Sequence, residues 1–389
     1  MFPPVAGVVS GQIAVAALLY SVQVVYEGNV IDYKRESKRA ETADEDPPMN
    51  DGQGPGKRPP RIVDVAEAAG VSTATVSRAL SRPETVTATT RHAVLAAVER
   101  IGYTVNHAAS NLRRQRSGGI VALVPNLANP FFSEILGGIA EVLSPAGYNL
   151  LIADTRGGSN PLDYADRRRA DGLIALDGAI PADALVRGGR GGSPPPTVLA
   201  CEWIEGLQAP RVRIDNAAAA ELAIAHLAGL GHRRIGHVQG PPGNVLTQTR
   251  QMGVEQALAA RGLEVRGDWF LPGDFSYASG QRAARAWLEL TDRPTALFCA
   301  SDAMACGLMG ELQRRGVKLP DDLSVVGFDG IELAAHLAPA LATIRQPRRE
   351  IGRTAARALL DLLASEATLP LSDQVLPVEF LSGGSAGPA

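Results

Sequence analysis

Residues 70–80 read GVSTATVSRAL, and this stretch decides how the N-terminal part of the chain folds. Before it, Ile62–Ala69 repeats apolar residues at helical spacing, and Gly70 can take the left-handed conformation that ends a helix. After it, Ser72 can cap a second helix whose apolar residues face inward. Two short helices joined by a glycine turn are typical of the helix-turn-helix motif.

A third helix, Ala88–Ile101, is predicted after the capping residue Thr87 and completes a three-helix unit. The outer face of the second helix carries small side chains and one arginine, which suits close approach to phosphates and base edges. The alternative is a surface appendage that does not touch DNA. We predict that the residues contacting DNA are Ser72, Thr73, Ala74, Thr75, Ser77 and Arg78.

Charge is unevenly distributed along the chain. The formal net charge of the 389 residues is −3, but residues 57–117 carry +6, residues 1–56 carry −4 and the remainder carries −5. A small basic unit on an acidic body indicates nucleic acid or another anionic surface as a partner. The three cysteines form no C-x-x-C pair, which argues against a disulfide framework or a zinc ribbon and fits a reducing cytoplasm.

Residues 1–60 are predicted to be a leader outside the folded domains. Residues 1–26 carry no charge, and residues 5–26 are apolar enough to span a bilayer. The stretch lacks the positive end and the cleavage site of a signal peptide. It is either a membrane anchor or not part of the native protein, in which case Met49 is the start, and we favour the second interpretation. Residues 27–56 are predicted to be disordered.

From Gly119 onward, short apolar runs alternate with helical patterns. This alternation predicts an α/β fold with parallel sheets, arranged as two doubly wound lobes with a ligand cleft at the carboxyl ends of the strands. The predicted strands are 120–124, 149–153, 173–176, 197–200, 212–214, 235–238, 295–299 and 323–327. The predicted helices are 131–143, 217–230, 245–261, 277–290, 303–315 and 348–363.

The phrases GVSTATVSRAL, V-x-x-x-TR-x-x-V, GY-x-x-N and NLRRQRS resemble the lactose-repressor (LacI) family of transcription regulators, and the resemblance covers about residues 61–380. It implies a helix-turn-helix domain at 61–105 and a hinge helix with linker at 106–117. A two-lobed, periplasmic-binding-protein-like domain for ligand binding and dimerisation would follow at 118–389. The phrases NPFFSEI and GDFSYASG resemble the cytidine-repressor branch.

The resemblance adds DNA contacts in the hinge helix. In the family this segment folds on the operator, pairs with its dimer mate and inserts a leucine into the minor groove, where such wedges kink the duplex. The resemblance assigns the role of the inserted leucine to Leu112 and the helix–helix contact to Ala109. Asn106 is included among the DNA-contacting residues.

The resemblance also places effector contacts at the strand ends. Phe131, rather than Phe132, is expected to be exposed toward the ligand, although apolar residues at a helix start usually belong to the core. Phe275 is expected to form a stacking floor. Arg250 is expected to fork onto a ligand hydroxyl or carboxylate, although the residues alone also fit a solvated helix face. Together with the carboxylates described next, this set suits a polyhydroxylated ring, a carbohydrate or a nucleoside.

Asp329 ends a strand in VVGFDG, and its carboxylate can accept two hydroxyl protons. Ser301 and Asp302 open the helix after a predicted strand, and Asp302 fits either a ligand contact or a helix cap. Asp215 is expected to be a cap. Trp203 fits either the cleft or the solvent.

Lobe one is expected to hold residues 118–213 and 347–372, and lobe two residues 214–344 and a last strand near 374–380. The chain would cross between the lobes three times, near residues 213, 345 and 372. One departure from the family is a shorter segment between the second and third strands. The helix predicted at 161–169 must therefore be short and charged.

No enzyme motif is present in the sequence: there is no G-x-S-x-G, no Walker A run, no G-x-G-x-x-G after a strand and no H-E-x-x-H. His232 and His237 are interpreted as turn and strand-edge residues, and Cys299 and Cys306 as core residues. No cofactor and no metal are expected.

We therefore predict a cytoplasmic, homodimeric transcriptional repressor that binds a palindromic operator and responds to an effector between its lobes. The ending SGGSAGPA lacks the Leu-rich tail of the tetrameric lactose repressor, which favours a dimer. The sequence leaves open whether the effector releases or strengthens DNA binding. The alternative is a membrane-anchored or periplasmic ligand-binding protein, and the basic helix-turn-helix argues against it.

Overall fold

The computed structural model describes residues 60–103, 117–156, 169–186, 194–365 and 372–389, and two-residue strands at 25–26 and 29–30. Its residues divide into two compact units. The head lies within residues 33–117, and the body comprises residues 118–389 together with residues 1–32. The predicted hinge helix, most of the predicted leader and nearly all of the predicted 161–169 helix lie outside the described residues.

The head consists of α1 (Ile62–Ala69), α2 (Thr73–Ser81) and α3 (Ala88–Ile101), with a 3₁₀ turn at Pro83–Thr85. The predicted helices are confirmed, the first and third to the residue. Gly70 has φ 65° and ψ 32°, so the left-handed ending of α1 is also confirmed. The head has a small core, formed by Val65, Ala66, Val76, Ala79, Val94 and Ala97.

The body alternates strands and helices. Its strands are β1 (Gly119–Val124), β2 (Asn149–Asp154), β3 (Gly172–Ala175), β4 (Thr197–Ala200), β5 (Arg211–Ile214), β6 (Ile235–Val238), β7 (Phe270–Leu271), β8 (Ala296–Cys299), β9 (Ser324–Asp329), β10 (Ala342–Arg345), β11 (Asp373–Leu376) and β12 (Glu379–Leu381). Its helices are α4 (Phe131–Leu143), α5 (Ala182–Val186), α6 (Asn216–Gly229), α7 (Val245–Ala260), α8 (Tyr277–Glu289), α9 (Asp302–Arg314), α10 (Glu332–Ala335) and α11 (Arg348–Ala364).

The strands form one six-stranded sheet in each lobe. Lobe one has the order β11-β5-β4-β3-β1-β2 and is parallel throughout. Lobe two has the order β12-β10-β9-β8-β6-β7 and is parallel except for β12. The inner strands are buried on both faces, as parallel sheets covered by helices require. The predicted fold class is confirmed.

The last crossing between the lobes differs from the prediction. A single strand near 374–380 was expected in lobe two, but β11 pairs with β5 of lobe one and only β12 joins lobe two. The crossing therefore lies between Leu376 and Glu379, not near Ser372. Pro377 stands at the break, and proline cannot donate to a sheet ladder. The strand β10 was also missed.

Each lobe contains a pair of helices that cross at glycines. In lobe one Gly138 of α4 and Gly352 of α11 lie at the contact, and in lobe two Gly280 of α8 and Gly307 of α9 do. A Cβ atom at any of the four would fall 2.0–2.1 Å from a carbonyl oxygen of the facing helix. Only glycine lets these backbones approach so closely.

The segment after β12 folds back into lobe two. Ser385 is fully buried, and its hydroxyl donates to the carbonyl of Val325 at 2.6 Å and accepts from the N–H of Ala342 at 2.9 Å. The carbonyl of Gly387 lies 3.1 Å from Nε2 of His232. The segment thus bridges β9 and β10 at the end of the sheet away from the cleft. His232 occupies a turn, as predicted.

In the described part of the chain, no helix combines the length and the apolar character needed to cross a bilayer.

Candidate DNA interface and ligand cleft

The second head helix presents a small, polar outer surface. Thr73, Ala74, Ser77 and Arg78 are exposed, while the inner residues of the same helix are buried. Arg78 is held along the helix by a hydrogen bond from its Nε to the carbonyl of Ala74 at 3.3 Å. An exposed helix with short side chains and a guanidinium can approach base edges in a major groove.

Two of the predicted DNA contacts also serve the helix itself. Ser72 caps α2, its Oγ accepting from the backbone N–H of Thr75 at 3.1 Å. The hydroxyls of the same two residues lie 2.9 Å apart, and Thr75 is half-buried. Asn106, Ala109 and Leu112 lie outside the described residues, and their roles stay predictions.

In the body, Arg250 lies inside lobe two. Its side chain leaves α7, is 2% exposed, and donates from Nε to Oδ1 of Asn216 at 2.9 Å and from Nη1 to the carbonyl of Ala300 at 2.6 Å. Its guanidinium carbon stands 3.8 Å from the centre of the Phe328 ring, a cation–π contact. The solvated-face alternative is therefore wrong. Asn216 was not expected to orient this arginine.

Asp329 ends β9 beside this guanidinium. It is 5% exposed, and its Oδ1 accepts from Nε2 of Gln346 at 2.9 Å. Burial raises the pKa of Asp329 to about 6, against the opposing charges of Arg250 and Arg348. The carboxylate is thus a desolvated acceptor with a cationic neighbour, which suits a bond to ligand hydroxyls.

The backbone is strained at three cleft positions. Among the described residues, the non-glycine positions with positive φ are Cys201 (66°), Phe275 (65°) and Asp329 (120°). The first directly follows β4, the second lies in the loop before α8, and the third ends β9. Residues in this region of φ cluster at functional sites because the surrounding structure must hold them there. This observation supports the cleft independently of residue type.

Ser301 and Asp302 have separate structural roles. Ser301 caps α9, accepting from the backbone N–H three residues later at 3.3 Å, so Asp302 is not the cap. Asp302 is fully buried and accepts from the N–H of Ile331 at 2.8 Å and from Oγ1 of Thr343 at 2.6 Å. Burial and the carboxylate of Asp329 raise its pKa to about 8. Asp302 therefore braces the loop that follows β9.

The predicted aromatic contacts are less open than expected. Phe131 and Phe132 are 5% and 6% exposed and pack edge to face with ring centres 5.1 Å apart, so the expectation that Phe131 is the exposed one is wrong. Both rings belong to the hydrophobic core, and their burial stabilises the fold more than exposure to water would. Phe275 is half-buried, with its ring against Gly240 and 5.9 Å from the guanidinium carbon of Arg250.

Sequence reasoning missed a polar contact across the lobes. Glu202 follows β4 in lobe one and is 8% exposed. Its Oε2 accepts from the N–H of Gly178 at 2.8 Å and from Nδ2 of Asn244 in lobe two at 3.0 Å. Burial raises the pKa of this carboxyl. Its position two residues after a buried strand resembles that of Asp329 at the end of β9, and this signal could have identified it.

Other expectations have mixed outcomes. Asp215 caps α6, as predicted. Trp203 is half-buried against the lobe-one core. Cys299 is buried, but Cys306 is only partly so, and His237 lies inside β6 with neighbours on both sides rather than at a strand edge.

A cavity of about 1060 Å³ opens beside two of the lobe crossings, the one that follows β10 and the one at Pro377. The six predicted effector residues do not line it. Four arginines and four glutamates do, so its rim carries no net charge: Arg345, Arg348, Arg349, Arg353, Glu134, Glu332, Glu350 and Glu379. Within the described ranges, no group of three or more His, Cys, Asp or Glu side chains is placed to hold a metal ion.

Comparison with known proteins bears on both units. The profile of the bacterial regulatory proteins of the lacI family matches residues 61–106, and that of the periplasmic binding protein-like domain matches residues 224–386. The HTH-type transcriptional repressor CytR of Escherichia coli (strain K12) is 40% identical over 307 residues, which cover 78% of this chain and 89% of that protein.

Two solved structures share the architecture. The lac repressor dimer bound to operator and the anti-inducer ONPF matches with a TM-score of 0.72 and 26% identity, covering 85% of this chain and all of that one. The complex of the transcriptional regulator CelR with cellobiose matches with a TM-score of 0.63 and 30% identity, covering 84% and 99%.

The chain belongs to the LacI family of bacterial regulatory proteins. It joins a helix-turn-helix head to a two-lobed body of the binding-protein type, as predicted. Its relatives are transcriptional repressors, so the prediction of a DNA-binding transcriptional regulator rather than an enzyme is confirmed.

Proposed function

We propose that this protein represses transcription as a homodimer on a palindromic operator, and that a carbohydrate or nucleoside effector bound between the lobes changes its affinity for DNA. The observation that supports the effector site is a set of buried side chains near the carboxyl ends of the lobe-two strands. There a guanidinium, a carboxylate and an aromatic ring meet at strained backbone. The protein acts in the cytoplasm, where its operator is.

The DNA-binding part of the proposal rests on α2. Thr73, Ala74 and Ser77 allow close approach, and Arg78 supplies a bidentate donor for a guanine. Ser72 and Thr75 stand at the start of the helix, where backbone N–H groups favour phosphate. The family resemblance adds Asn106, Ala109 and Leu112 of the hinge segment to the proposed contacts, with Ala109 at the helix–helix contact and Leu112 as the minor-groove wedge.

The effector part rests on groups that are held before any ligand arrives. Arg250 and Asp329 are fixed by hydrogen bonds within the body, and Phe275 lies beside the arginine. Fixed donors, acceptors and a ring face suit a polyhydroxylated ring. The CelR structure contains cellobiose, which supports a carbohydrate. The resemblance of NPFFSEI and GDFSYASG to the cytidine-repressor branch supports a nucleoside.

Ser301 and Asp302 belong to this proposal in a supporting role. Ser301 caps the helix that starts at the cleft, and Asp302 holds the loop after Asp329. The homodimer is supported by the lac repressor dimer, whose whole chain this chain covers. A two-fold protein axis requires a two-fold operator.

The test uses the full chain. An operator is first selected from random duplex DNA, and its affinity is then measured by fluorescence anisotropy against a scrambled duplex at two salt concentrations. A panel of sugars and nucleosides is added to the complex. We expect selective binding that one compound changes. Equal, steeply salt-dependent binding to both duplexes would contradict base readout.

Two variants separate the sites. R78A is expected to weaken operator binding about tenfold or more, whereas R91A removes an equal charge from α3 and is expected to lower affinity for both duplexes alike. D329A is expected to abolish the effector response and leave operator binding intact. An unchanged response in D329A would contradict the proposed cleft.

A further inference from the structure

We propose that the hydrogen bond from Asn244 to Glu202 is an interlobe latch that holds the two lobes in the closed arrangement of this structure. Asn244 caps α7 in lobe two, and its Nδ2 donates at 3.0 Å to Oε2 of Glu202, which follows β4 in lobe one. Its role in effector control rests on the proposed function, but its role in lobe closure does not.

Each end of the latch is anchored in its own lobe. Glu202 is fixed by the backbone N–H of Gly178, which donates to the same Oε2 with an N···O distance of 2.8 Å. Asn244 is fixed by its other side-chain atom, Oδ1, which accepts from the N–H groups of Leu246 and Thr247 at 2.9 and 3.3 Å. Because neither side chain is free to follow the opposite lobe, separation of the lobes must break the bond between them.

The bond is strong for a single hydrogen bond. Its acceptor is a carboxylate that is 8% exposed, and a charge-assisted bond out of water is roughly twice as strong as a neutral one. If the bond opened without solvent entering, the carboxylate would lose one of its two partners in a buried place. The latch therefore favours closed lobes over partly opened ones.

The latch lies farther from the crossing after β10 than a second interlobe hydrogen bond does. A second interlobe bond, from Nη2 of Arg348 to the carbonyl of Gly330 at 2.9 Å, lies directly beside the crossing that follows β10. The latch instead reaches Asn244, in the segment that follows β6. In the lobe-two sheet β6 lies three strands from β10, about 14 Å at the usual strand spacing. A rotation about the crossings displaces the latch more than the Arg348 bond, so the latch responds to smaller openings.

This placement predicts how the latch acts on the effector equilibrium. An effector that contacts both lobes binds the closed state, and its apparent affinity falls with the fraction of closed molecules. Loss of the latch is expected to lower the closed-to-open ratio about tenfold. The effector then restores closure at a higher concentration.

The capping role of Asn244 allows a clean variant. N244D keeps the cap, because aspartate caps helices as well as asparagine does. It replaces the donor of the latch with a second carboxylate and so breaks the bond. In the double variant N244D/E202Q, the glutamine amide can accept from Gly178 and donate to the new aspartate, which restores the bond with reversed polarity. D215N is the matched control, since it exchanges the cap of the neighbouring helix α6.

Lobe separation is measured by electron paramagnetic resonance on the full chain without DNA or effector. Spin labels are placed at the exposed positions Glu205 in lobe one and Gln248 in lobe two, in a C306S background, since Cys201 and Cys299 are buried. Labelled protomers are diluted with unlabelled ones so that each dimer reports one pair. Thermal unfolding by circular dichroism checks that α7 keeps its cap.

We expect a short, narrow label distance in the unsubstituted chain and in D215N. N244D should lengthen and broaden the distribution at unchanged helix content, and N244D/E202Q should return it toward the original. The proposal is overturned if N244D leaves the distribution unchanged, or if the double variant is as open as N244D. Both results are independent of DNA and effector, so they differ from a failure of the proposed repressor function.

Discussion

The two lobes share a packing device but differ in how their cleft ends are built. In each, two helices cross at a reciprocal pair of glycines, Gly138 with Gly352 and Gly280 with Gly307. In lobe two the charged groups at the strand ends are bonded into the lobe itself or into the crossing beside it. Lobe one contributes apolar rings and the latch carboxylate.

This difference separates the tasks of the lobes. Lobe two presents donors and acceptors whose directions are fixed before a ligand arrives, which lowers the cost of ordering them on binding. Lobe one supplies Phe131 as a buried surface and Glu202 as the contact to its neighbour. We infer that the fixed polar groups of lobe two determine which ligand binds, and that Glu202 of lobe one makes its contact to lobe two only when the cleft is closed.

The largest expected effect tests the shared device. G307A in lobe two and G138A in lobe one each force a backbone contact apart, and we expect each to lower the free energy of unfolding by about 3 kcal/mol or more. The matched controls G310A and G137A lie on the same helices with open space around the Cβ, and should be neutral or stabilising by up to about 1 kcal/mol.

Urea denaturation monitored by circular dichroism gives these energies. If the lobes unfold in separate transitions, G138A should shift one transition and G307A the other. Equal effects of the crossing glycines and their controls would contradict the close helix contact.

The next effect tests the bracing of lobe two against lobe one. D302A leaves the N–H of Ile331 and the hydroxyl of Thr343 buried without an acceptor, and we expect a loss of about 3 kcal/mol. D177A in lobe one removes an acceptor of the half-buried Thr155 and of one backbone N–H, and should cost less because water can reach these groups. A cost for D177A equal to that of D302A would remove the distinction between the lobes.

A smaller effect depends on pH. The pKa of Asp329 is raised to about 6 in the folded state from an ordinary value near 3.8, so the folded state prefers the protonated carboxyl. The folded state therefore binds more protons between about pH 4 and pH 6, and stability falls as the pH rises through this window. Relative to D329N, the unsubstituted chain should lose about 2 kcal/mol between pH 4 and pH 7.

Denaturation of both chains in the same buffers gives the difference, which cancels the titration of every group that does not interact with Asp329. A difference that does not change with pH, or that grows in favour of the unsubstituted chain, would contradict the raised pKa.

The smallest effect concerns the outer surfaces. Glu311 of lobe two pairs with Arg285, Arg314 and Arg315, and hydrogen bonds from Arg314 and Arg285 lower its pKa to about 2. Glu141 of lobe one pairs with two arginines of α11. E311Q should lower the Tm slightly and more than E141Q, because the Glu311 side chain is 5% exposed and that of Glu141 is 34% exposed. Calorimetry at low and high salt should show both effects shrinking, since salt screens such pairs.

Local patterns were sufficient for most of the secondary structure. The helices at 62–69, 88–101 and 131–143 were predicted to the residue, because helical spacing and, for the first two, end signals are written within a few neighbours. The division of the last strand into β11 and β12 was not predictable in this way. It depends on which lobe offers an unpaired edge, and that is known only once both sheets exist.

The cleft shows the same limit. The family resemblance pointed to Arg250, and the position at the end of a strand pointed to Asp329. Both lie inside the body, but the burial of Phe131 follows from packing that no local pattern records. The latch was missed because Glu202 and Asn244 are distant in sequence. Neither was singled out from the sequence, and only their juxtaposition gives them a shared role.

The arrangement of the last strands has a consequence for folding during synthesis. Both sheets are completed by residues after 347: α11 and β11 serve lobe one, and β12 with the buried Ser385 serves lobe two. On the ribosome, neither lobe can finish folding until this final segment has emerged, whereas every helix of the head has left the tunnel long before. In a nascent chain the head can therefore be folded while both lobes still lack their last strands. Chaperones that bind unfolded segments are then expected to bind mainly to the body.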